Sequence, residues 1–325
     1  VKTDTFGGEM VDRVRPHINR RPDNYFAAAK NDVQFIPSGC KLLDLALGGG
    51  WAEGRISNIV GDKSTGKTLL AIEAAANFAL KHSRGIIKYR EAEAAFLHDY
   101  AAALGMPIDR VDFGKDPLET VEDLFDDLET TITRARRQPI LYIVDSLDAL
   151  SDRDELDQDI GKPSYGGKKA KTLSQMFRRL AKPMASAQIT LLIISQIRDK
   201  FGVRFGRPTT RAGGRALDFY ASQCIWLQQL GMKYKTITKV KRPIGVEIRA
   251  KVEKNKVGLP FREAQFQIRF GYGIEDQKAC REWLQLVGYK MKDVVSPKEL
   301  RRITEREWYR IETTFLPVRR KYHGQ

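Results

Sequence analysis

The 325-residue sequence has only three cysteines, Cys40, Cys224 and Cys280, which are far apart and include no C-x-x-C, and its four histidines show no paired spacing. A disulfide framework and a Cys/His zinc site are therefore excluded as organising devices, and the cysteines read as reduced thiols. No apolar run approaches the roughly 20 residues that span a bilayer. The opening "VKTDTFGGEMVDRVRPHINRRPDN" lacks the charged-then-apolar pattern of a secretory signal, so a cytoplasmic location with no membrane partner is expected. Internal repeats and low-complexity tracts are also lacking, which excludes repeat arrays and wholesale disorder.

With 42% hydrophobic and 30% charged residues, the chain has the material for one large α/β domain and a small appendage. Short β-branched runs, "RISNIV", "GIIKY", "ILYIVDS" and "ITLLIISQ", alternate with helical patterns such as "TLLAIEAAANFALK" and "KKAKTLSQMFRRLA". Nearly all-apolar strands separated by helices indicate a parallel sheet covered on both faces. Within "DPLETVEDLFDDLET" an amphipathic helix is expected, with Leu118, Val121, Leu124, Phe125 and Leu128 inward and its acidic face in solvent. After Tyr220 the strands "QCIWLQQ", "VEIRAKVEKN" and "AQFQIRF" follow without helices, the first two joined by a basic turn, "GMKYKTITKVKRPIG"; they read as an antiparallel extension of the sheet edge. Helical pattern returns after Gly273.

The charge is uneven. Formal net charge is +15, and Arg198–Lys256 alone holds 15 Lys and Arg against 4 Asp and Glu, a clustering expected of a polyanion binder. Within it, "RDKFGVRFGRPTTRAGGR" combines the cations Arg198, Lys200, Arg204, Arg207, Arg211 and Arg215 with Gly202, Gly213 and Gly214, which let a backbone approach closely. Phe201, Val203 and Phe205 are apolar wedges between those cations, the composition of a loop that grips single-stranded nucleic acid by charge and stacking.

"GDKSTGKTLL" fits G-x-x-x-x-G-K-[ST] between a strand and a helix. Gly61, Asp62, Lys63, Ser64, Thr65, Gly66, Lys67, Thr68 and Leu69 then form a phosphate cradle: backbone N–H groups point inward, Lys67 meets the outer phosphates, and the Thr68 hydroxyl can hold Mg²⁺. Asp145, closing the apolar strand "ILYIVD", is the expected second metal-side group, so ATP and Mg²⁺ are the expected cofactors. A group that activates water is also required. Glu91 and Glu93 both fall at the carboxyl end of "IIKYRE", and spacing does not choose between them.

Taken together, "LDLALGGGWAEGRISNIVGDKSTGKTLL", "REAEAAFLHDYAAALG", "YIVDSLDAL", "LLIISQIRDKFGVRFGRPTTRAGGRALDFYAS" and "VEKNKVGLPFREAQFQIRFGYGI" run in family order over roughly residues 36–274, and the chain resembles the bacterial RecA recombinases. The resemblance implies a RecA-type P-loop ATPase core over 34–274; outside it the match is poor, and the weak periodicity of 1–33 reads as an arm or partner-docking, oligomerisation segment, and 275–325 as a small helical basic segment. It favours Glu93 as the catalytic carboxylate, places Tyr100 against adenine, makes Gln196 the sensor that links the γ-phosphate to DNA, and sends Lys254 and Lys256 to the ATP of a neighbouring subunit. It also implies a first DNA loop around Asp154–Lys169, a second around Arg198–Arg215, and DNA-backbone contacts from Lys171 and Arg178, two turns apart on one helix face.

Leu97 and Asp218 depart from the family pattern at the adenine and at the subunit contact. The end of the chain lacks the family's acidic tail, with 12 Lys and Arg against 8 Asp and Glu from Glu275 onward, the pattern of a divergent or phage-encoded member. The implied activity is a DNA-dependent ATPase that forms helical filaments on single-stranded DNA and exchanges strands with homologous duplex DNA. Its implied partners are further copies of itself and a single-strand-binding or loader protein. A ring-forming helicase-like motor of the same fold and a non-catalytic ATP-binding mediator are the alternatives; the length of the second loop speaks against the former, Glu93 against the latter.

Overall fold

The computed structural model describes residues 33–136, 138–156, 168–199, 209–211, 214–291 and 295–315. The chain divides into two compact units, Val1–Gln34 and Phe35–Gln325; of the first, only residues 33 and 34 are described, and the elements below all belong to the second. It opens with β1 (Phe35–Ile36), α1 (Lys41–Leu47), β2 (Trp51–Ala52), β3 (Ile56–Gly61), α2 (Lys67–Lys81), β4 (Ile86–Glu91), α3 (His98–Ala103), β5 (Val111–Asp112), α4 (Val121–Arg134) and β6 (Ile140–Asp145). There follow α5 (Arg153–Leu156), α6 (Lys168–Ser186), β7 (Ile189–Asp199), β8 (Thr209–Arg211), α7 (Gly214–Tyr220), β9 (Gln223–Ile237), β10 (Val240–Asn255), β11 (Glu263–Arg269), β12 (Gly273–Ile274), α8 (Asp276–Leu286) and α9 (Pro297–Phe315).

The main sheet runs β12-β11-β10-β9-β3-β7-β6-β4-β5, parallel from β9 to β5 and antiparallel from β9 to β12. This is the expected α/β class with its antiparallel extension. The β7 strand separates the cradle strand β3 from β6, which carries Asp145. Alternate residues of the central strands serve opposite faces, as the two-residue period of a strand requires. Leu141, Ile143, Leu192 and Ile194 pack with Leu70 and Phe78 of α2. Tyr142, Val144, Leu191 and Ile193 pack with Leu124 and Leu128 of α4, Leu173 and Phe177 of α6, and Leu217 of α7.

The acidic helix starts where a capping box stops the chain: Thr120 Oγ1 accepts from Asp123 N (3.0 Å) while the Asp123 carboxylate accepts from Thr120 N (2.9 Å). Of its expected inward residues, Val121, Leu124 and Leu128 are buried; Leu118 lies before the helix, and Phe125 is partly covered by the Arg179 guanidinium, 4.6 Å from its ring centroid.

The basic stretch expected as a turn is instead a two-stranded ribbon. β9 continues to Ile237 and β10 begins at Val240, with Lys235 opposite Arg242 and Thr236 opposite Lys241. The reversal takes only Thr238 and Lys239, both at positive φ (48° and 66°), the conformation that matches the twist of paired strands.

At the other end, α8 and α9 share a small core of Cys280, Leu284, Leu300 and Ile303. Asp276 ties them down: its Oδ1 accepts from Lys41 N (2.6 Å) and its Oδ2 from Arg301 Nε (2.7 Å). All three cysteines are buried thiols. Among the described residues, no helix is long and apolar enough to cross a membrane.

Candidate active site

The site is assembled at the carboxyl ends of β3, β4, β6 and β7, the edge where open α/β sheets bind ligands. After β3 the chain turns through Ser64 (φ 59°) and Gly66 (φ 83°) before α2 begins at Lys67. A side chain is disfavoured at both cradle glycines, by crowding at Gly61 and mainly by the left-handed backbone at Gly66. A Cβ on Gly61 would lie 2.5 Å from Thr65 Oγ1, and one on Gly66 would run into Ile268 Cδ1. The amino terminus of a 15-residue helix thus faces an open cradle, an arrangement that favours anions.

Lys67 Nζ rests on Asp62 O (2.7 Å). Burial presses its pKa downward, against the pull of Asp145 and Glu93. Thr68 Oγ1 donates to Asp145 Oδ2 (2.8 Å), and the same oxygen accepts the hydroxyl of Tyr89 (2.7 Å). Burial pushes the Asp145 carboxyl upward, while these two hydrogen bonds hold it down. Tyr89 is fully buried, and burial together with Asp145 raises its hydroxyl well above the ordinary range, so it stays protonated and donates. Among the described residues, no three His, Cys, Asp or Glu groups gather in a metal-holding cluster. A hydroxyl and one carboxylate fit Mg²⁺, which takes few protein oxygens and completes its shell with water and phosphate.

The structure separates the two candidate glutamates. Glu91 turns back on its own loop: Oε1 accepts from Glu93 N (3.0 Å) and Ala95 N (3.0 Å), Oε2 from Ala94 N (2.8 Å). Its oxygens are committed to holding the turn. Glu93 instead faces the site, where its Oε1 accepts from Ser146 Oγ (2.5 Å) and from Gln196 Nε2 (2.8 Å). Gln196 lies on β7 directly beside Gly61, and its backbone N–H donates to Asp148 Oδ2 (2.6 Å). Glu93, Gln196, Lys67, Thr68 and Asp145 are therefore neighbours, drawn from four strand ends.

A cleft of about 1080 Å³ extends from Asp62–Gly66 and Leu69 past Tyr100 and is also lined by Ile268 and Phe270. Ile268 and Phe270, like Tyr89 and Asp148, were not reached from the sequence, because their neighbours are dozens of residues away. Only the alternation that buries Tyr89 in β4 hinted at its direction.

Lys254 and Lys256 lie elsewhere. Asn255 pairs with Gln223, which pairs with Ser57, whereas the cradle begins at Gly61 opposite Leu227. Four strand residues, about 13 Å at 3.3 Å each, separate the two levels. Lys254 Nζ donates to Asp218 O and to Phe219 O (2.9 Å), and Lys256 Nζ donates to Phe219 O (3.1 Å), so both cap the carboxyl end of α7. Burial, and then the neighbouring Lys256 charge, lower the Lys254 pKa to about 8.

Of the expected nucleic-acid contacts, Lys171 and Arg178 are exposed on α6, opposite the face buried through Leu173, Phe177 and Leu180. Arg198 belongs to β7 and Arg211 to β8; the antiparallel pairs Ile197–Arg211 and Arg198–Thr210 join the two roots of the second loop. Gly214 and Arg215 open α7. Lys200, Phe201, Gly202, Val203, Arg204, Phe205, Arg207 and Gly213 lie outside the described residues, as does most of the first loop.

A family model described as the RecA N-terminal domain matches residues 25–275. A Protein RecA of Trichodesmium erythraeum (strain IMS101) is 38% identical over 254 residues, covering 77% of this chain and 66% of that protein. The Protein RecA of Streptococcus parasanguinis is 39% identical over 252 residues, 76% of this chain and 63% of that protein. That of Thermosynechococcus vestitus is 36% identical over 266 residues, 80% and 70% respectively. The chain thus spans about two thirds of the length of the curated relatives it matches. A strand-turn-helix cradle, the β7 strand that sets Gln196 beside it and a family match across the whole central sheet give one result: the chain belongs to the RecA family.

Proposed function

We propose that this protein is an ATP-dependent DNA recombinase: it polymerises with copies of itself on single-stranded DNA as a helical filament, hydrolyses ATP in response to that DNA, and promotes pairing and strand exchange with a homologous duplex in the cytoplasm. The observation that carries the proposal is the 2.8 Å bond from Gln196 Nε2 to Glu93 Oε1. It joins a carboxylate suited to activating water to a strand whose next residue, Ile197, is already paired at the root of the cation-rich loop. A cradle serving only turnover would not need that connection.

In this reading the phosphates lie in the turn from Gly61 to Thr68, with Lys67 against the outer ones and Tyr100 beside the base. Thr68 and Asp145 would hold Mg²⁺, which neutralises charge between phosphate oxygens. Glu93 orients water and takes its proton at Oε2, while Ser146 and Gln196 fix Oε1. The Gln196 amide has two N–H donors; one is held by Glu93, and engaging a phosphate oxygen with the other would shift the side chain and the end of β7 that carries it.

Lys254 and Lys256 act on the nucleotide of the next copy, a role supported by their distance from the chain's own cradle. Cations supplied in trans stabilise transferring phosphoryl groups only after assembly, so turnover depends on polymer. The exposed Lys171 and Arg178, with the second loop from Arg198 to Arg215, hold the DNA backbone, and Phe201, Val203 and Phe205 stack with bases. A single-strand-binding or loader protein would serve as accessory partner.

The test is phosphate release measured with and without single-stranded DNA across a salt titration. Stimulation that weakens as salt rises is expected. No stimulation at any salt would overturn the reading, and rings rather than filaments on DNA by electron microscopy would redirect it to a motor.

A further inference from the structure

We infer that Tyr89 is a positioning residue for the metal-side carboxylate: its hydroxyl and that of Thr68 together pin Asp145 Oδ2, so that Oδ1 is the oxygen presented to a divalent cation and its water shell. The inference rests on the proposed ATP and Mg²⁺ site. The geometry is specific. Tyr89 and Thr68 approach one oxygen at 2.7 and 2.8 Å, from β4 on one side and α2 on the other. Among the described residues, no protein donor is bonded to Asp145 Oδ1. Two donors on one carboxylate oxygen remove the carboxylate's freedom to rotate about its last bond, and a charge-assisted bond from a buried phenol is stronger than one from a solvated group.

The phenol is itself fixed. Its ring packs on Phe96 (centroids 4.7 Å apart, tilted 50°) and on Phe113 (6.0 Å), and Phe96 and Phe113 in turn enclose His98 (5.2 and 4.8 Å). Phe96 is three residues beyond Glu93, on the same loop. The ring therefore braces the segment that carries Glu93, while the hydroxyl reaches the metal side. The two functions separate chemically: Tyr89→Phe removes the hydroxyl and keeps the ring stack, whereas Tyr89→Leu removes both.

The test uses the full chain without DNA and a fluorescent ATP analogue, titrated once in EDTA and once against Mg²⁺ at fixed nucleotide. For Tyr89→Phe the affinity in EDTA is expected to be unchanged, and the Mg²⁺ concentration giving half of the metal-dependent gain is expected to rise roughly tenfold, the scale of one charge-assisted hydrogen bond lost. In a separate assay with single-stranded DNA, Tyr89→Leu should lose more turnover than Tyr89→Phe, through the Glu93 loop; equal turnover for the two would overturn the bracing of that loop by the ring. Asp145→Ala serves as the reference. If it shifts the Mg²⁺ titration and Tyr89→Phe does not, the positioning role is overturned and the metal reading stands. If neither shifts it, Asp145 is not the metal-side group and the inference falls with that reading. Equal losses for Tyr89→Phe in EDTA and in Mg²⁺ would make the hydroxyl a general support of the cradle and would also overturn the inference.

Discussion

The two lysine sites of this chain make an instructive pair. Lys67 sits at the carboxyl ends of the strands, on a helix amino terminus, within the fields of Asp145 and Glu93. Lys254 and Lys256 sit about 13 Å lower along the sheet, on the carboxyl end of α7, crowded against each other over Phe219 O. The first combines a cation with a helix amino terminus, a setting that favours anions. The second presses two like charges together over backbone carbonyls, an arrangement that an anion from outside would relieve. If the lysines serve a neighbouring copy, as proposed above, the two sites are complementary halves that a single chain holds about 13 Å apart along the sheet.

That contrast can be broken most sharply by separating the halves on different chains. Glu93→Gln is expected to lower turnover by roughly 10²- to 10⁴-fold, the range for a general base, with nucleotide affinity little changed. Lys254→Ala with Lys256→Ala should also abolish DNA-stimulated turnover. Mixing the two inactive proteins should restore part of it, because interfaces then form between an intact Glu93 and intact lysines. Absence of restoration across mixing ratios would place the lysines in cis or outside catalysis.

A smaller effect is expected at the cradle backbone. Gly66→Ala combines a left-handed φ with a clash against Ile268, and should cost about 1–3 kcal/mol and weaken ATP binding. Thermal unfolding with and without nucleotide measures both effects.

The mildest test uses pH. Burial and Lys256 lower the Lys254 pKa to about 8 in the single copy, and a neighbour's phosphate would raise it again, so turnover within the filament should fall only on the alkaline side of that value while binding at Lys67 persists. The sign is the reverse of a stability gain, since a lysine whose pKa is lowered by folding disfavours the native state when protonated. Lys254→Arg keeps its charge and should remove the alkaline decline, as seen in the pH profile of DNA-stimulated phosphate release.

What could be read from the sequence follows from what is local. The strand-turn-helix at Gly61–Thr68, the strand ending in Asp145 and the other central strands are continuous stretches whose residue order carries the signal, and these elements fold as the sequence predicts. The choice between Glu91 and Glu93 was not local: both fall at the end of β4, and only the folded loop reveals that the oxygens of Glu91 are spent on three amides. The ribbon of β9 and β10 was hidden for another reason. From Lys233 to Arg242 its residues are solvated on both faces apart from the half-buried Lys233, so no apolar side marks a period of two, and the lysines resemble the composition of a turn. The hydroxyl of Tyr89 acts across 56 residues of sequence, a separation over which pattern is silent.

The tip of that ribbon also has a practical side. Thr238 and Lys239 occupy left-handed backbone, which costs an ordinary residue about 1–2 kcal/mol and Asn or Gly much less. An Asn-Gly exchange at these two positions would stiffen the protruding arm while deleting one of its cations, and Asn-Lys would stiffen it while keeping that cation. The pair gives an experimenter independent control over the rigidity of the arm and over its charge.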